Sequence, residues 1–341
     1  MSRTTPPPRL DITEVFPELV PLRRTATRLH PRPGSPSPGE SSIGGPLLWP
    51  ADEPWPYCAR AHQAFGVPPL TLAGVARLRA LRAARWERQG ADFTDAERAE
   101  CEQISKGVAV PQAPIALLPV AQLYVADVPD LVGQGPAGTD VLQVLWCPFD
   151  HFEDREYQPK TVLRWRDSAR ITDVLADPPQ PAAVMLDDYV PEPCVLDPEQ
   201  VVEYPSIHAL DREVQERISA WDTGDGDDDD EAHLYFYELS VAPGFKVGGW
   251  EPWNSTDPWP MQCQVCAGPV RPLLTVGTVE TYGEGERWTA LEDREMEANP
   301  LPAHRHRNPL APTQLQLGRG YDMQVYVCCS DVTHPTIDCL L

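Results

Sequence analysis

Lysine is nearly absent from this chain. Lys106, Lys160 and Lys246 are the only three among 28 basic residues, which face 51 acidic ones for a formal charge of −23. Nucleic acid and anionic membrane surfaces are bound non-specifically through Lys and Arg, so a balance this acidic argues against both. It favours a basic protein partner instead. Apolar runs are also short. None reaches the roughly 18 residues of a membrane-spanning helix, and the opening MSRTTPPPRLDITEVF has no apolar stretch of the secretory type. The expected location is the cytoplasm, where thiols stay reduced and the nine cysteines read first as metal or redox positions. Missing too are G-x-S-x-G, H-E-x-x-H and G-x-x-x-x-G-K-[ST], the signatures of common catalytic machines.

Proline, by contrast, is abundant. The 40 prolines in 341 residues are more than twice the usual share of roughly 5%. Each removes a backbone donor and fixes φ, which disfavours long helices and an all-parallel sheet and favours short strands joined by ordered loops. Hydrophobic residues at 42% are enough to build a core around them.

Along the chain, residues 1–9 are expected to be disordered, a helix can start at Asp11, and PRPGSPSPGESS (31–42) reads as a loop. Leu72, Val75, Leu78, Leu81 and Ala84 form a near-helical stripe, and TDAE from Thr94 is a capping pattern for a second helix. IALLPVAQLYVADV and VLQVLWC (within 115–147) read as strands, DREVQERISAW (211–221) as a helix, and LYFYELSV (234–241) as a strand. The acidic run DTGDGDDDDEAH (222–233) resembles a calcium loop. Its twelfth position is His233, where a bidentate carboxylate is required, so it reads as a solvated loop. His304 and His306 in PAHRHRNP read as part of a flexible basic loop.

One element is written twice. GGPLLWPADEPWP (44–56) aligns without a gap on GGWEPWNSTDPWP (248–260), placing Gly44-Gly45 on Gly248-Gly249, Trp49 on Trp253 and Pro54-Trp55-Pro56 on Pro258-Trp259-Pro260. Proline on both sides of tryptophan holds the backbone extended, leaving the indole either a core anchor or a platform for a sugar or peptide. Each copy precedes paired leucines, Leu117-Leu118 or Leu273-Leu274. Each also has a strand with glutamine four residues before cysteine, Gln143 before Cys147 and Gln324 before Cys328.

Cysteines follow the same scheme. Cys263-Gln-Val-Cys266 is a CxxC with Gly268 and Pro269 behind it, a spacing that lets one turn present two thiolates to a zinc ion. Cys328 and His334 would complete the tetrahedron, with Cys329 as the alternative ligand. A redox CxxC should open a helix, whereas PVRPLLTV reads as a strand. The first half carries a looser echo in Cys58, His62, Cys147 and His151, which either bind a second ion or are what a degenerate copy has kept. Four protein ligands leave no open position, so both sites would be structural rather than catalytic.

The runs SSIGGPLLWPADEPWP, LLPVAQLYVADVPDL, FKVGGWEPWNSTDPWPMQCQVCAGPVRPLL and YDMQVYVCCSDVTHP resemble the YwqG-like family of bacterial proteins, over roughly residues 40–160 and 240–341. Family members commonly carry C-P-x-C-G-x-P-M and a strand ending in C-P; Gln264-Val265 and Cys329 depart from that pattern. The resemblance implies an α+β, sheet-rich fold and no particular activity, though some relatives look like immunity or partner-binding proteins. The expected organisation is an N-terminal segment 1–42, a first repeat 43–160 with a helical insertion 64–112, a connecting segment 161–239, and a second repeat 240–341 with a zinc-ribbon-like cysteine cluster. The expected function is a non-enzymatic cytosolic binding or scaffold protein with one or two structural zinc ions. The alternatives are a hydrolase-like enzyme with a pocket between the repeats and a thiol redox or metal sensor using Cys328-Cys329.

Overall fold

The computed structural model describes residues 3–64, 66–88, 92–151, 157–222, 234–253, 257–281, 286–298, 311–318 and 320–341. Helix α1 (Ile12–Val15) precedes strands β1 (Arg24–Arg28), β2 (Arg32–Pro33), β3 (Ser42–Ile43) and β4 (Tyr57–Cys58). Helices α2 (Leu72–Glu87) and α3 (Asp95–Ser105) lead into β5 (Ile115–Ala116), β6 (Leu118–Tyr124), β7 (Val141–Cys147) and β8 (Lys160–Arg166). Next come β9 (Cys194–Val195), β10 (Glu199–Glu203), α4 (Arg212–Asp222) and β11 (Lys246–Gly248). After them stand β12 (Val270–Val276), α5 (Leu291–Ala298), β13 (Met323–Cys328) and β14 (Ile337–Leu340). The chain is α+β and sheet-rich. No described helix is long and apolar enough to cross a membrane.

Every strand pairing among the described residues is antiparallel, as proline-broken short strands joined by loops allow. One six-stranded sheet runs β2-β9-β3-β6-β7-β8, the other β10-β1-β11-β12-β13-β14, and β4 pairs with β5 apart from both. Proline sits inside β6 and β12 where a ladder bond is already broken. The register shifts between Pro119 and Ala121 in one and between Pro272 and Leu274 in the other, the bulge positions at which a missing N–H costs least. Strand β7 is buried along its whole length. One apolar core takes side chains from both sheets, among them Ile43, Leu142, Val144, Leu274, Val325 and Val327.

The sheets meet where the edges β8 and β14 interlock through side chains. Thr161 donates its N–H and hydroxyl to the Asp338 carboxylate at 2.9 and 2.6 Å, and Lys160 Nζ donates to the Thr336 carbonyl at 3.1 Å. Helix α2 clamps onto the first sheet's flank through Arg79, which bonds Glu192 and the carbonyls of Asp187 and Val190. Thr94 caps α3 in a reciprocal box with Glu97, as the TDAE pattern predicts.

Several expectations fail. Residues 3–9 are ordered rather than free: Arg3 is buried against Asp293, and Thr5 donates its N–H and hydroxyl to Glu199. The loop 31–42 contributes β2 and Ser42 of β3, and Pro36 is buried within it. Segment 161–239, expected to supply connecting strands or the rest of the first half, gives strands to both sheets: β8 and β9 extend one and β10 edges the other. LYFYELSV is no strand; Tyr235–Leu239 is a π-helical turn whose approach is capped by Asp222, which accepts from the N–H groups of Leu234 and Tyr235. The acidic run after Asp222, with His233, and the pair His304 and His306 lie outside the described residues.

Candidate metal centres

Strand β4 ends on Cys58, directly after the first Trp-Pro element. The indole N–H of Trp55 donates to the Leu117 carbonyl at 3.0 Å and the Leu117 N–H to the Pro56 carbonyl at 3.1 Å, fixing β4 beside β5. His62 follows in the next loop, with its ring against Phe149 and His151. Cys147 is the last residue of β7 and His151 lies four residues on. Two sequence-distant segments thus deliver two donors each. The donor atoms of Cys58, His62, Cys147 and His151 all lie within 4.8 Å of one another, so the group could hold a metal ion. His62 Nε2 is 3.2 Å from Cys147 Sγ, and His151 Nε2 is 3.7 Å from Cys58 Sγ. Hydrogen bonding from Cys147, against the opposing effect of burial, holds the Cys58 thiol at about 2, with His151 and His62 adding to it. Cys147 is driven the other way by Cys58 and by burial.

The second group is assembled from the CxxC turn and the end of β13. Cys263 N–H donates to the Gly268 carbonyl at 2.9 Å and Ala267 N–H to the Cys263 carbonyl at 2.8 Å, closing a knuckle in which Ala267 takes φ 54°. A Cβ on Gly268 would press on Cys266 Sγ at 3.3 Å and Ser330 Oγ at 3.4 Å, so the residue behind the knuckle must be small. The turn opens no helix; Val270 instead starts β12 and pairs with Cys328. Donor atoms of Cys263, Cys266, Cys328 and His334 again lie within 4.8 Å of one another. Cys263 Sγ is 3.3 Å from His334 Nδ1, and Cys266 Sγ is 3.5 Å from Cys328 Sγ. Although burial opposes it, N–H groups of Asp331 and Ser330 hold the Cys328 thiol down to about 6, as expected of a sulfur held ready as thiolate. Cys329 stands outside this group: its side chain is exposed, and its N–H donates to the Pro269 carbonyl at 3.0 Å.

Both donor sets fit a tetrahedral ion. With Zn–S of about 2.3 Å and Zn–N of about 2.0–2.1 Å, a tetrahedron has S···N edges of about 3.5 Å and S···S edges of about 3.8 Å. The four shortest contacts, 3.2–3.7 Å, are close to these, and the remaining donor separations stay within 4.8 Å. Asp331 was not singled out from the sequence. Its carboxylate accepts from Thr333, and its Oδ2 lies 3.8 Å from His334 Nε2, so its charge faces the ring edge opposite the cluster without a hydrogen bond. The Asp-x-x-His spacing of DVTH was the signal that could have shown it.

The tryptophans divide. Trp49 and Trp55 are buried together at 4.9 Å, whereas in the second pair, 5.0 Å apart, Trp253 is buried and Trp259 is 43% exposed. No known family profile matches the chain, and no curated protein matches it in sequence.

Proposed function

We propose that the protein is a non-enzymatic binding or scaffold protein of YwqG-like architecture, duplicated internally, with one structural zinc ion stapling each half. The observation that carries this reading is the pair of four-donor Cys/His groups, each at the end of the strand that follows the sheet's bulged strand. A Cys₂His₂ and a Cys₃His set suit zinc over harder ions such as magnesium or calcium. Bound there, the ion would cross-link chain segments that no disulfide joins, and four protein donors leave no position for activating water.

Two further correspondences support duplication. Gly44 and its counterpart Gly248 take φ of 64° and 75°, in the left-handed region that favours glycine, a conformation that Gly249 shares and Gly45 does not. Gln143 and Gln324 are both buried on strands that lie second from a sheet edge, and each bonds the strand before it: Gln143 to Gln122, Gln324 to Thr275. The charge of −23 points to a basic protein as the partner, the arrangement an immunity-type protein would use against a cationic enzyme in the cytoplasm.

Elemental analysis of the purified protein tests the metal reading. Two zinc ions per chain are expected, with one lost in Cys266→Ser; a metal-free, fully folded protein would refute it. Capture from native lysate at low and high salt tests the partner reading. A basic protein retained at low salt and released at high salt is expected, and none at either salt sinks it.

A further inference from the structure

The two glycine pairs sit in different surroundings. A Cβ on Gly44 would meet the carbonyls of Pro191 and Glu192 at 2.9 and 2.8 Å, so chain covers that copy. On Gly248 the nearest atom would be Asp130 Cβ at 3.2 Å, although Gly249 beside it backs onto the Glu203 carboxylate and Ala26. Here Gly248 and Gly249 line an open cleft of about 660 Å³ together with Arg23, Arg24, Arg271 and Asp130. Three guanidinium groups and one carboxylate reverse the sign of a chain whose overall charge is −23.

We propose that this cleft binds an oxyanion, the phosphate or carboxylate group of a small molecule, through Arg23 and Arg24 with Arg271 beside them. Asp130 offsets one of the three charges but forms no ion pair with any of the arginines. Its carboxylate accepts from Thr25 Oγ1 at 2.6 Å, Thr27 Oγ1 at 2.7 Å and Gln200 Nε2 at 3.1 Å. Asp11, within the field of Arg23, is bonded to Thr13, and Glu251, within the field of Arg24, is shared with Lys246. Among the described residues, no ion pair joins a carboxylate to any of the three arginines.

Two of the guanidiniums are already oriented. Arg24 lies 3.4 Å above the Trp250 ring and donates one N–H to the Gly249 carbonyl at 3.3 Å. Trp250 is itself fixed, its indole N–H on the Leu22 carbonyl and its backbone N–H on Glu203, both at 2.8 Å. Arg271 is held by Gln134 Oε1 at 2.8 Å and by the Cys328 carbonyl at 3.3 Å. A guanidinium with one face on an indole keeps its in-plane N–H fork for a planar or tetrahedral oxyanion, and little side-chain entropy remains to be lost on binding. Arg23 makes no side-chain hydrogen bond among the described residues, so its charge is available to a ligand.

Calorimetric titration of the purified full chain with sodium phosphate, and separately with citrate, tests this at constant ionic strength. Saturable binding of at least one anion is expected, and the stronger arm assigns the group as phosphate or carboxylate. Arg23→Gln and Arg24→Gln should each weaken binding about tenfold, the loss of one charge-assisted contact. Arg164→Gln, on a different sheet, should leave it unchanged. Because the exposed Arg23 side chain makes no hydrogen bond or ion pair among the described residues, its variant separates lost binding from lost structure if Arg24→Gln unfolds. No saturable binding up to about 10 mM of either anion, or equal affinities in all variants, would overturn the proposal. Neither result depends on the zinc count.

Discussion

Cys58, His62, Cys147 and His151 lie inside the protein, with only Cys58 partly exposed, whereas in the second group Cys266 is exposed and His334 half-buried. The same contrast extends beyond the sulfurs. In the first sheet, the partner strands β6 and β7 meet through neutral amides: Gln143 Nε2 donates to Gln122 Oε1 at 2.9 Å, and Gln122 accepts from the Leu48 N–H at 2.6 Å. In the second, fully buried Lys246 donates to Glu203 at 2.6 Å, Arg28 donates to the Glu280 carbonyl at 2.8 Å, and the carboxyl of Glu280 is buried beside them. One glycine pair is covered and the other lines an open cleft; one tryptophan pair is enclosed and the other is half in water. The first half is thus closed on every count. Exposed sulfur, buried charge and an accessible cleft are gathered in the second, so any exchange with solvent or ligand is to be sought there.

The largest effect expected from this contrast concerns the metals. Structural zinc contributes an apparent 10–16 kcal/mol in small zinc modules, as large as the whole stability of an ordinary domain at about 5–15 kcal/mol. Cys147→Ser, in the enclosed group beneath the common core, should therefore yield insoluble or unfolded protein. Cys266→Ser, at the exposed knuckle, should leave a folded protein short of one ion. On the unaltered protein, a chelator with a metal-sensitive dye should release one equivalent quickly and the second only as the chain unfolds. Simultaneous release of both, or a soluble Cys147→Ser beside an insoluble Cys266→Ser, would break the comparison.

A smaller effect is expected at the tryptophans. Trp55→Ala removes a side chain only 6% exposed, together with its bond to Leu117, and should cost about 3–5 kcal/mol in urea unfolding. Trp259→Ala removes one that is 43% exposed and should cost less than about 1 kcal/mol. Equal losses would mean that the exposed indole is covered in solution.

Much of this contrast was invisible in the sequence, although its parts were legible. All eight Cys and His positions could be picked out because ligand spacing is local: CxxC fits one turn, and cysteine with histidine four or six residues beyond fits one strand end. Helices α2 and α3 were legible for the same reason, since a Leu/Val stripe and a capping box are written within a few residues. What failed was decided by distant contacts. LYFYELSV has the aromatic density of a strand, yet it finds no partner strand; Tyr235 and Leu239, four apart, pack instead among Ile12, Phe16, Leu19 and Ile218. Residues 3–9 are polar and proline-rich, but Glu199 and Asp293, far along the chain, hold Thr5 and Arg3. PWP is spelled identically in both copies, so which indole is buried depends on what packs above it. Charge, too, reads as a bulk figure in the sequence, with no hint that three arginines share one cleft.

The smallest effect separates the two halves by pH. Burial, against the pull of Arg28 and of the Phe245 N–H, raises the Glu280 carboxyl from 4.5 to about 7. Between these values the folded state keeps a proton that the unfolded state has released. The contribution of Glu280 to stability is therefore complete below about pH 4.5 and is lost as pH rises through 7, by something on the order of 3 kcal/mol. His30 acts with the opposite sign. Burial first, then Arg28, lowers it from 6.5 to about 4 against Glu199, so its contribution is present above 6.5 and lost as pH falls through 4. Between pH 4.5 and 6.5 the two slopes oppose each other. Glu280→Gln removes one of them. In urea unfolding at pH 5, 6, 7 and 8 the variant should gain on the unaltered protein as pH rises, and the difference should level off above 7. Gln143→Ala, in the amide-paired first sheet, should lower stability by the same amount at each pH. A difference for Glu280→Gln that stays constant from pH 5 to 8 would remove ionisation from the contrast, leaving exposure alone to distinguish the halves.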